Sequence, residues 1–312
     1  PADLVFCNHV LLGGPVGVAS GARFAVKAHG SELEYSMRGH EALEAWGRAC
    51  LERAAATFVG SEHIRGVLEE VCGTAANVHE VPPGVDVDEW VPQDRRSALE
   101  ALVAECRRDP PNPGSREERL PDEGNADRLR QFLAGERPTV VYFGKLIRNK
   151  GVQVLLEALE GTDARAVVVG FGEYRQELER LAGSQVLFTG PLEHRHLAHL
   201  LALADACVVP SIFPEAFGMV AAEAAAAGCP PLVARHSGLA EIASGLEESY
   251  PARLAHLAGF ATGDVPDLRA KLVELVSLPG ADRDAIRACA RTTAVERWSW
   301  KGVARRLLDA VA

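Results

Sequence analysis

Pro210-Ser211-Ile212-Phe213-Pro214-Glu215-Ala216-Phe217-Gly218-Met219-Val220-Ala221-Ala222-Glu223-Ala224-Ala225-Ala226-Ala227-Gly228 decides how this sequence is read. The apolar run Ala206-Cys207-Val208-Val209 before it is a buried strand. Two prolines then open a loop. An Ala-rich helix starts near Phe217–Gly218 and stops at Gly228, ahead of Cys229-Pro230-Pro231. The unpaired N–H groups at such a helix start, backed by the helix dipole, form an anion site. Gly218 leaves room for a ligand to approach the backbone. Glu223 lies about 7.5 Å further along the axis at 1.5 Å per residue. That separation suits a diphosphate at the helix tip and a ribose alongside, with Glu223 accepting from two hydroxyls. Glu215 precedes the helix, at the carboxyl edge where open α/β sheets bind ligands. An isolated Glu-x7-Glu is usually a helix-start acid and a solvated helix residue. The flanking Pro-Ser-Ile-Phe-Pro and Phe-Gly-Met reverse those odds.

Working outward, short apolar runs alternate with helical stretches, the signature of a parallel α/β sheet. Upstream lie Val140-Val141-Tyr142-Phe143, Ala166-Val167-Val168-Val169 and Val186-Leu187-Phe188. Downstream lie Pro231-Leu232-Val233-Ala234 and, as a sixth strand, Leu257-Ala258-Gly259-Phe260. Six strands make a complete doubly wound sheet. After the first of them comes Gly144-Lys145-Leu146-Ile147-Arg148-Asn149-Lys150-Gly151. Paired loop lysines are ordinarily solvated surface charge, but at the carboxyl end of the same sheet Lys145 and Lys150 look like diphosphate ligands.

The first part of the chain is a second, shorter α/β unit, residues 1–92. Its strands are Leu4–Cys7, Phe24–Lys27, Thr57–Val59 and Val78–Val81, with a long helix from about His40 to Ala56. It starts inside a strand, with no initiator Met and no preceding β-α units, so it reads as a lobe lacking its front. Residues 93–137 hold nine Arg and ten Asp/Glu with four prolines. This reads as two polar helices around a Pro-rich turn, a charged linker or insertion between lobes. The second lobe runs over 138–295.

With 33 Lys+Arg against 43 Asp+Glu the net charge is −10, and 47% of residues are hydrophobic. That is soluble globular composition, and its acidity argues against a general nucleic-acid or membrane-surface binder. No apolar run reaches the ~18 residues of a membrane span, and no secretory signal is visible. Seven cysteines, an odd number without a CxxC, make a disulfide framework or zinc knuckle unlikely and the cytosol the natural compartment. Abundant Ala, and Arg well in excess of Lys, read as GC-rich bacterial coding.

Gly144-Lys145 through Lys150-Gly151, Gly170-Phe171-Gly172-Glu173, Gly190-Pro191-Leu192, Asp205 through Ser211, Glu215 through Glu223 and Ser237-Gly238-Leu239-Ala240-Glu241 fall in an order that resembles the family-4 retaining glycosyltransferases. So do Lys27-Ala28-His29-Gly30, Phe58-Val59-Gly60-Ser61 and Pro83-Gly84-Val85-Asp86 in the first lobe. The resemblance covers nearly the whole chain. It implies an α/β fold of the GT-B type, two Rossmann-like lobes facing across a cleft. It implies a metal-independent transfer, with retention, of a sugar from a nucleoside-diphosphate sugar to a hydroxyl on a sugar, lipid or small molecule. Lys145 and Lys150 match the basic residues that hold the donor diphosphate. Glu215 matches the acid that contacts the transferred sugar. Phe217, Gly218 and Met219 match the segment that wraps phosphate and sugar, and Glu223 matches the ribose ligand. Leu192 falls near the base, His29 matches the first-lobe histidine on the donor sugar, and 296–312 with Trp298-Ser299-Trp300 resembles the helix that crosses back to the first lobe. UDP, GDP and ADP donors all stay open. The glycine-rich loop expected at the start of the first lobe is absent, the second-lobe Gly-Gly pattern reads Ser237-Gly238, and the 93–137 stretch is longer than usual.

Other signals carry less. Asp86-Val87-Asp88 sits in the turn after Pro82-Pro83-Gly84, and acidic chains hold such triplets by chance, so no metal site is read there. His194, His196 and His199 read as a wet helix face. Gly13-Gly14 reads as a chain turn. A phosphorylase or sugar-nucleotide epimerase of the same architecture would call for a pyridoxal-phosphate lysine or a duplicated acid–base set, and neither is seen. The alternative of a different class is a non-catalytic nucleotide-sugar-binding partner or an inactive fragment, because the first lobe is short.

Overall fold

A computed structural model describes residues 3–73 and 76–312; Pro1, Ala2, Thr74 and Ala75 lie outside the described residues. The two α/β stretches form two separate, all-parallel sheets. The first holds β1 (Val5–Asn8), β2 (Phe24–Lys27), β3 (Ala56–Val59) and β4 (Val78–Glu80), side by side in chain order. The second holds β5 (Thr139–Phe143), β6 (Arg165–Val169), β7 (Val186–Phe188), β8 (Ala206–Val209), β9 (Pro231–Ala234) and β10 (Gly259–Phe260), in the order β10-β9-β8-β5-β6-β7. β5, β6, β8 and β9 are buried along their whole length. Helices cover both faces, which is why these strands read as unbroken apolar runs rather than alternating ones. β10 is shorter than expected. Ala252–Ala258 winds into a 3₁₀ helix that buries Leu254 and Leu257, a spacing of three that suits its three residues per turn.

The strand order reverses between β5 and β8. From β5 the chain moves to β6 and β7 on one side; β8, β9 and β10 lie on the other. Connections on opposite sides leave a crevice at the carboxyl ends of these two strands. The loops that line it are the Lys145–Lys150 loop and the Pro210–Gly218 loop.

Residues 93–137, expected as a charged helical linker or insertion, fold onto the second lobe. Helix Arg95–Cys106 lies against helix His194–Leu203, and Leu102 and Leu129 are buried in the same core as β5. Asp122 receives both arms of Arg175, at 2.9 and 2.6 Å. The charge count hid a regular apolar stripe: Leu99, Leu102, Val103 and Cys106 follow the i, i+3, i+4, i+7 pattern of a core-facing helix.

The wet-face reading of the three histidines needs correcting for the same reason. His194 is exposed, but His196 is fully buried at 0% because the Arg95–Cys106 helix covers it. Its Nδ1 accepts the Glu193 N–H at 3.2 Å and its Nε2 lies 2.9 Å from Asp109 Oδ1. Cys106, Asp109 and His196 bring three potential ligand atoms within 4.8 Å of one another. Because Nδ1 accepts, the ring proton sits on Nε2 and faces Asp109, which also receives Arg195 at 2.7 Å. Among the described residues, His196 Nε2 and Asp109 Oδ2 are nevertheless buried without a well-aligned hydrogen-bond partner, so the cluster is held by charge and close packing rather than by a complete hydrogen-bonded network.

Two chain segments join the lobes side by side. The Val85 N–H donates to the Trp298 carbonyl at 2.7 Å and the Trp300 N–H to the Val85 carbonyl at 3.2 Å. A Cβ on Gly84 would fall 2.4 Å from the Trp300 ring, so only glycine fits there. Helix Trp300–Asp309 then crosses to the first lobe, where Val303 and Val311 pack with Ala25, Phe58 and Val81. Burial on that scale stabilises by roughly 1.5–3 kcal/mol per large apolar side chain.

Candidate functional site

The crevice loops are stitched together by glycines at which no side chain would fit. A Cβ on Gly151 would sit 1.8 Å from the Pro210 carbonyl oxygen, and one on Gly170 equally close to that of Gly144. The Ile212 N–H donates to the Asn149 carbonyl at 2.9 Å and the Leu146 N–H to that of Phe171 at 2.8 Å. The two lysine-bearing and glutamate-bearing motifs, distant in sequence, thus share one backbone framework.

Within it, Lys150 Nζ lies 2.5 Å from Glu215 Oε1. Lys145 is exposed on the same loop, and its carbonyl accepts the Tyr142 hydroxyl at 2.8 Å. Burial, with Glu215 nearby, holds that phenol well above its usual range. It therefore donates and does not ionise.

Glu215 is held from the backbone side by a group the sequence reading noted only as a departure. Its N–H donates to Ser237 Oγ at 2.8 Å, and its carbonyl accepts the Gly238 N–H at 3.0 Å. Ser237 Oγ lies 2.9 Å from His236 Nδ1, and His236 Nε2 lies 2.7 Å from the Ser211 carbonyl. A carbonyl only accepts, so Nε2 carries the proton and Nδ1 takes the serine hydroxyl. The relay ties Glu215 and Ser211 to one imidazole. Ser237 holds a φ of +46°, a strained conformation for a residue with a side chain. Gly238 is where Phe217 Cα would be 2.6 Å from any Cβ.

The helix begins at Met219, with Gly218 as its N-cap at φ +116° and Leu239 Cδ2 2.6 Å from where a Cβ would stand. It ends in a glycine cap: the Cys229 N–H reaches the Ala224 carbonyl and the Gly228 N–H that of Ala225, both at 2.9 Å. The first inward bonds of the helix, from Ala221 and Ala222, go to the Gly218 carbonyl. The amides of Gly218, Met219 and Val220 are left toward the crevice. Glu223, one turn in, is lifted to about 7 by burial and by Glu89 facing it. Phe217 points inward and meets Trp298 edge-on at 6.0 Å, so only its backbone is offered to a ligand. Leu192 too is buried in the lobe's core, so neither it nor Phe217 presents an open side chain to the crevice.

His29 enters from the first lobe. A cavity of about 70 Å³ is lined by Lys27, His29, Gly60, Pro83, Ala216 and Phe217, which brings the histidine opposite the loop that carries Glu215. His29 Nε2 lies 3.0 Å from Asn8 Oδ1 and its ring stacks on His9 at 4.5 Å. Burial, then His9, depress its basicity, so the ring is neutral at pH 7. Buried Glu32, which sequence reasoning missed, organises this corner. It accepts the amides of Val10 at 2.8 Å, Leu11 at 3.1 Å and His29 at 3.1 Å. A Glu three residues after a helix-start histidine is a capping-box spacing, the signal that could have found it. The lobes touch here: Ser61 Oγ donates to the Ala216 carbonyl at 2.6 Å, and Glu241 accepts the His63 N–H at 3.4 Å. Asp86 is a turn residue, its Oδ1 accepting the amides of Asp88 and Glu89 at 3.0 and 3.1 Å.

Residues 125–251, which include every second-lobe site residue above, match the family model described as Glycosyl transferases group 1. The GDP-mannose-dependent alpha-(1-6)-phosphatidylinositol monomannoside mannosyltransferase of Mycobacterium tuberculosis is 29% identical over 94% of this chain and 70% of its own length. The chain is thus similar to group 1 glycosyltransferases over its second lobe, and to that mannosyltransferase over nearly its whole length. The D-inositol 3-phosphate glycosyltransferase of Xylanimonas cellulosilytica is 35% identical, over 52% of this chain and 36% of its own length. Among solved structures, Anabaena HepE in complex with UDP superposes with a TM-score of 0.74 at 18% identity, covering 99% of this chain and 78% of that one. That likeness shows the two-lobed GT-B fold.

Proposed function

We propose that this enzyme transfers a sugar from a nucleoside-diphosphate sugar to a hydroxyl acceptor, with retention at the anomeric carbon, as a family-4 member. The observation that carries the reading is the meeting of Lys150 with Glu215 beside the free amides of Gly218–Val220. Departure of the nucleoside diphosphate builds negative charge on phosphate. Lys145, Lys150 and the helix start are fixed around the place where that charge develops and stabilise it without reorganisation. They supply in place the positive charge a divalent cation would bring, so the transfer is proposed to run without one. Glu215 and His29 orient the sugar from opposite lobes while the acceptor hydroxyl attacks from the leaving-group side. Glu223 accepts from the ribose, and Leu192 backs the base from within the core. The cytosol is the proposed compartment: the seven cysteines are free thiols.

One mycobacterial relative is named for GDP-mannose and HepE was crystallised with UDP, so GDP-mannose and UDP-glucose are the donors to try first and ADP-glucose next. Relatives named for phosphatidylinositol monomannoside and for inositol 3-phosphate point to a polyol hydroxyl, free or lipid-borne, as acceptor. The test is product analysis with each donor and an inositol acceptor, with and without EDTA. An α-linked product from an α-linked donor, formed in EDTA, supports the reading. An inverted product, or activity that needs added Mn²⁺, overturns the corresponding part. Nucleotide binding without transfer to any acceptor would favour a non-catalytic sugar-nucleotide binder.

A further inference from the structure

A second cavity, of about 570 Å³, opens on the opposite face of the second lobe from the crevice. It lies at the amino-terminal ends of β5 and β8, where Pro138 and Asp205 precede the strands. Three guanidinium groups converge on it: Arg95 from helix Arg95–Cys106, and Arg283 and Arg287 from helix Gly280–Thr293.

Four carboxylates, Asp94, Glu136, Asp205 and Asp284, share the lining with the three arginines, but among the described residues none accepts a hydrogen bond from Arg95, Arg283 or Arg287. Asp205 is turned inward, its Oδ2 accepting the Thr139 N–H at 2.8 Å. Its Oδ1 stands 4.0 Å from Arg95 and 3.9 Å from Arg283, at the outer limit of an ion pair for both. Among the described residues neither guanidinium donates a hydrogen bond to the protein. Arg287 donates one, to the Ala204 carbonyl at 2.9 Å. Asp94 caps its own helix through the amides of Arg96 and Ser97. Glu136 and Asp284 stand exposed at the rim. Each arginine has five N–H donors in a planar fork. Most of the fifteen or so here face open space with no protein acceptor, free to turn to an anion with several oxygens. The space exceeds what an inorganic ion fills and falls within the range of small-molecule sites. Gln93 and the rim carboxylates supply acceptors for hydroxyls beside it.

We propose that this cavity is a second ligand site, taking a phosphate monoester of a small polyol, with the phosphate held between Arg95, Arg283 and Arg287. The site lies across the sheet from the donor crevice, so both fill at once.

The probes are glycerol 3-phosphate and inorganic phosphate, titrated into the whole chain with thermal shift and hydrogen exchange as readouts. Glycerol 3-phosphate is expected to stabilise the protein and to slow exchange in 93–97 and 280–287. Inorganic phosphate should bind more weakly. Arg95→Gln with Arg283→Gln should weaken binding about tenfold or more, while Lys145→Ala leaves it unchanged. No binding up to about 10 mM, protection confined to 144–151 and 215–221, or undiminished binding in the double variant would each overturn the site. Equal affinity for both probes overturns the monoester assignment. The exchange map on the unaltered protein decides the question even if the double variant fails to fold.

Discussion

Lys150 and Glu215, 65 residues apart in sequence, meet with Nζ 2.5 Å from Oε1 at the carboxyl edge of the second sheet. A cation assigned to phosphate and an anion assigned to sugar are thus partners before any donor binds. The pair keeps the glutamate aimed, and a diphosphate entering the crevice competes for the same ammonium.

Lys150→Ala is expected to lower turnover by about 10²–10³-fold, the usual effect of removing one fixed charge that meets a developing oxyanion. Glu215→Gln should cost turnover more than nucleotide affinity. A double-mutant cycle on kcat/KM checks the coupling: if the two effects simply add, the pair has no joint role.

Glu223 gives a pH signature. Its carboxyl is raised from 4.5 to about 7 by burial and by Glu89. The folded form holds the proton to higher pH than the unfolded chain does, so this group contributes stability that is lost as the pH rises from 4.5 through 7. Ribose hydroxyls that donate to the carboxylate favour its ionised form. Nucleotide affinity is therefore expected to rise between pH 6 and 8, by up to about tenfold. Titration calorimetry across that range should show the rise, and Glu223→Gln should flatten it.

Gly151→Ala is expected to abolish donor binding. The added methyl falls 1.8 Å from the Pro210 carbonyl oxygen, at a φ of +69°, so the lysine loop and the glutamate loop must part. Thermal unfolding alongside nucleotide titration checks this. A variant that binds nucleotide normally would show that the crevice tolerates separation of its loops.

Arg291 donates to the Trp90 carbonyl at 2.6 Å, the Ala226 carbonyl at 2.7 Å and the Val87 carbonyl at 2.8 Å. It ties the chain between the lobes to the C-terminal end of the helix that carries Glu223. Arg291→Ala leaves three half-buried carbonyls without a partner and is expected to destabilise the fold by about 2 kcal/mol. Urea denaturation measures it.

The second sheet was legible because parallel strands covered on both faces must be apolar throughout, and because Gly218 and Gly228 mark the two ends of one helix. That Lys150, Glu215 and Gly218 meet at one crevice was legible because both loops leave the carboxyl ends of neighbouring strands, where the strand order reverses. The charged surface of 93–137 outweighed its narrow apolar stripe, and His196 was misplaced with it. Glu32 and the His236–Ser237 relay act on the backbone of neighbouring loops. Such partners are set by tertiary approach, and one-dimensional spacing hints at them only where, as at Glu32, they share a local cap.

The last helix follows the second lobe in chain order, yet its Val303, with Val311 just beyond its end, fills the underside of the first. Neither half is a free-standing module. Anyone exchanging acceptor lobes between relatives to change specificity must transplant this tail with the front half, or the graft will be left with an open seam beneath Phe58.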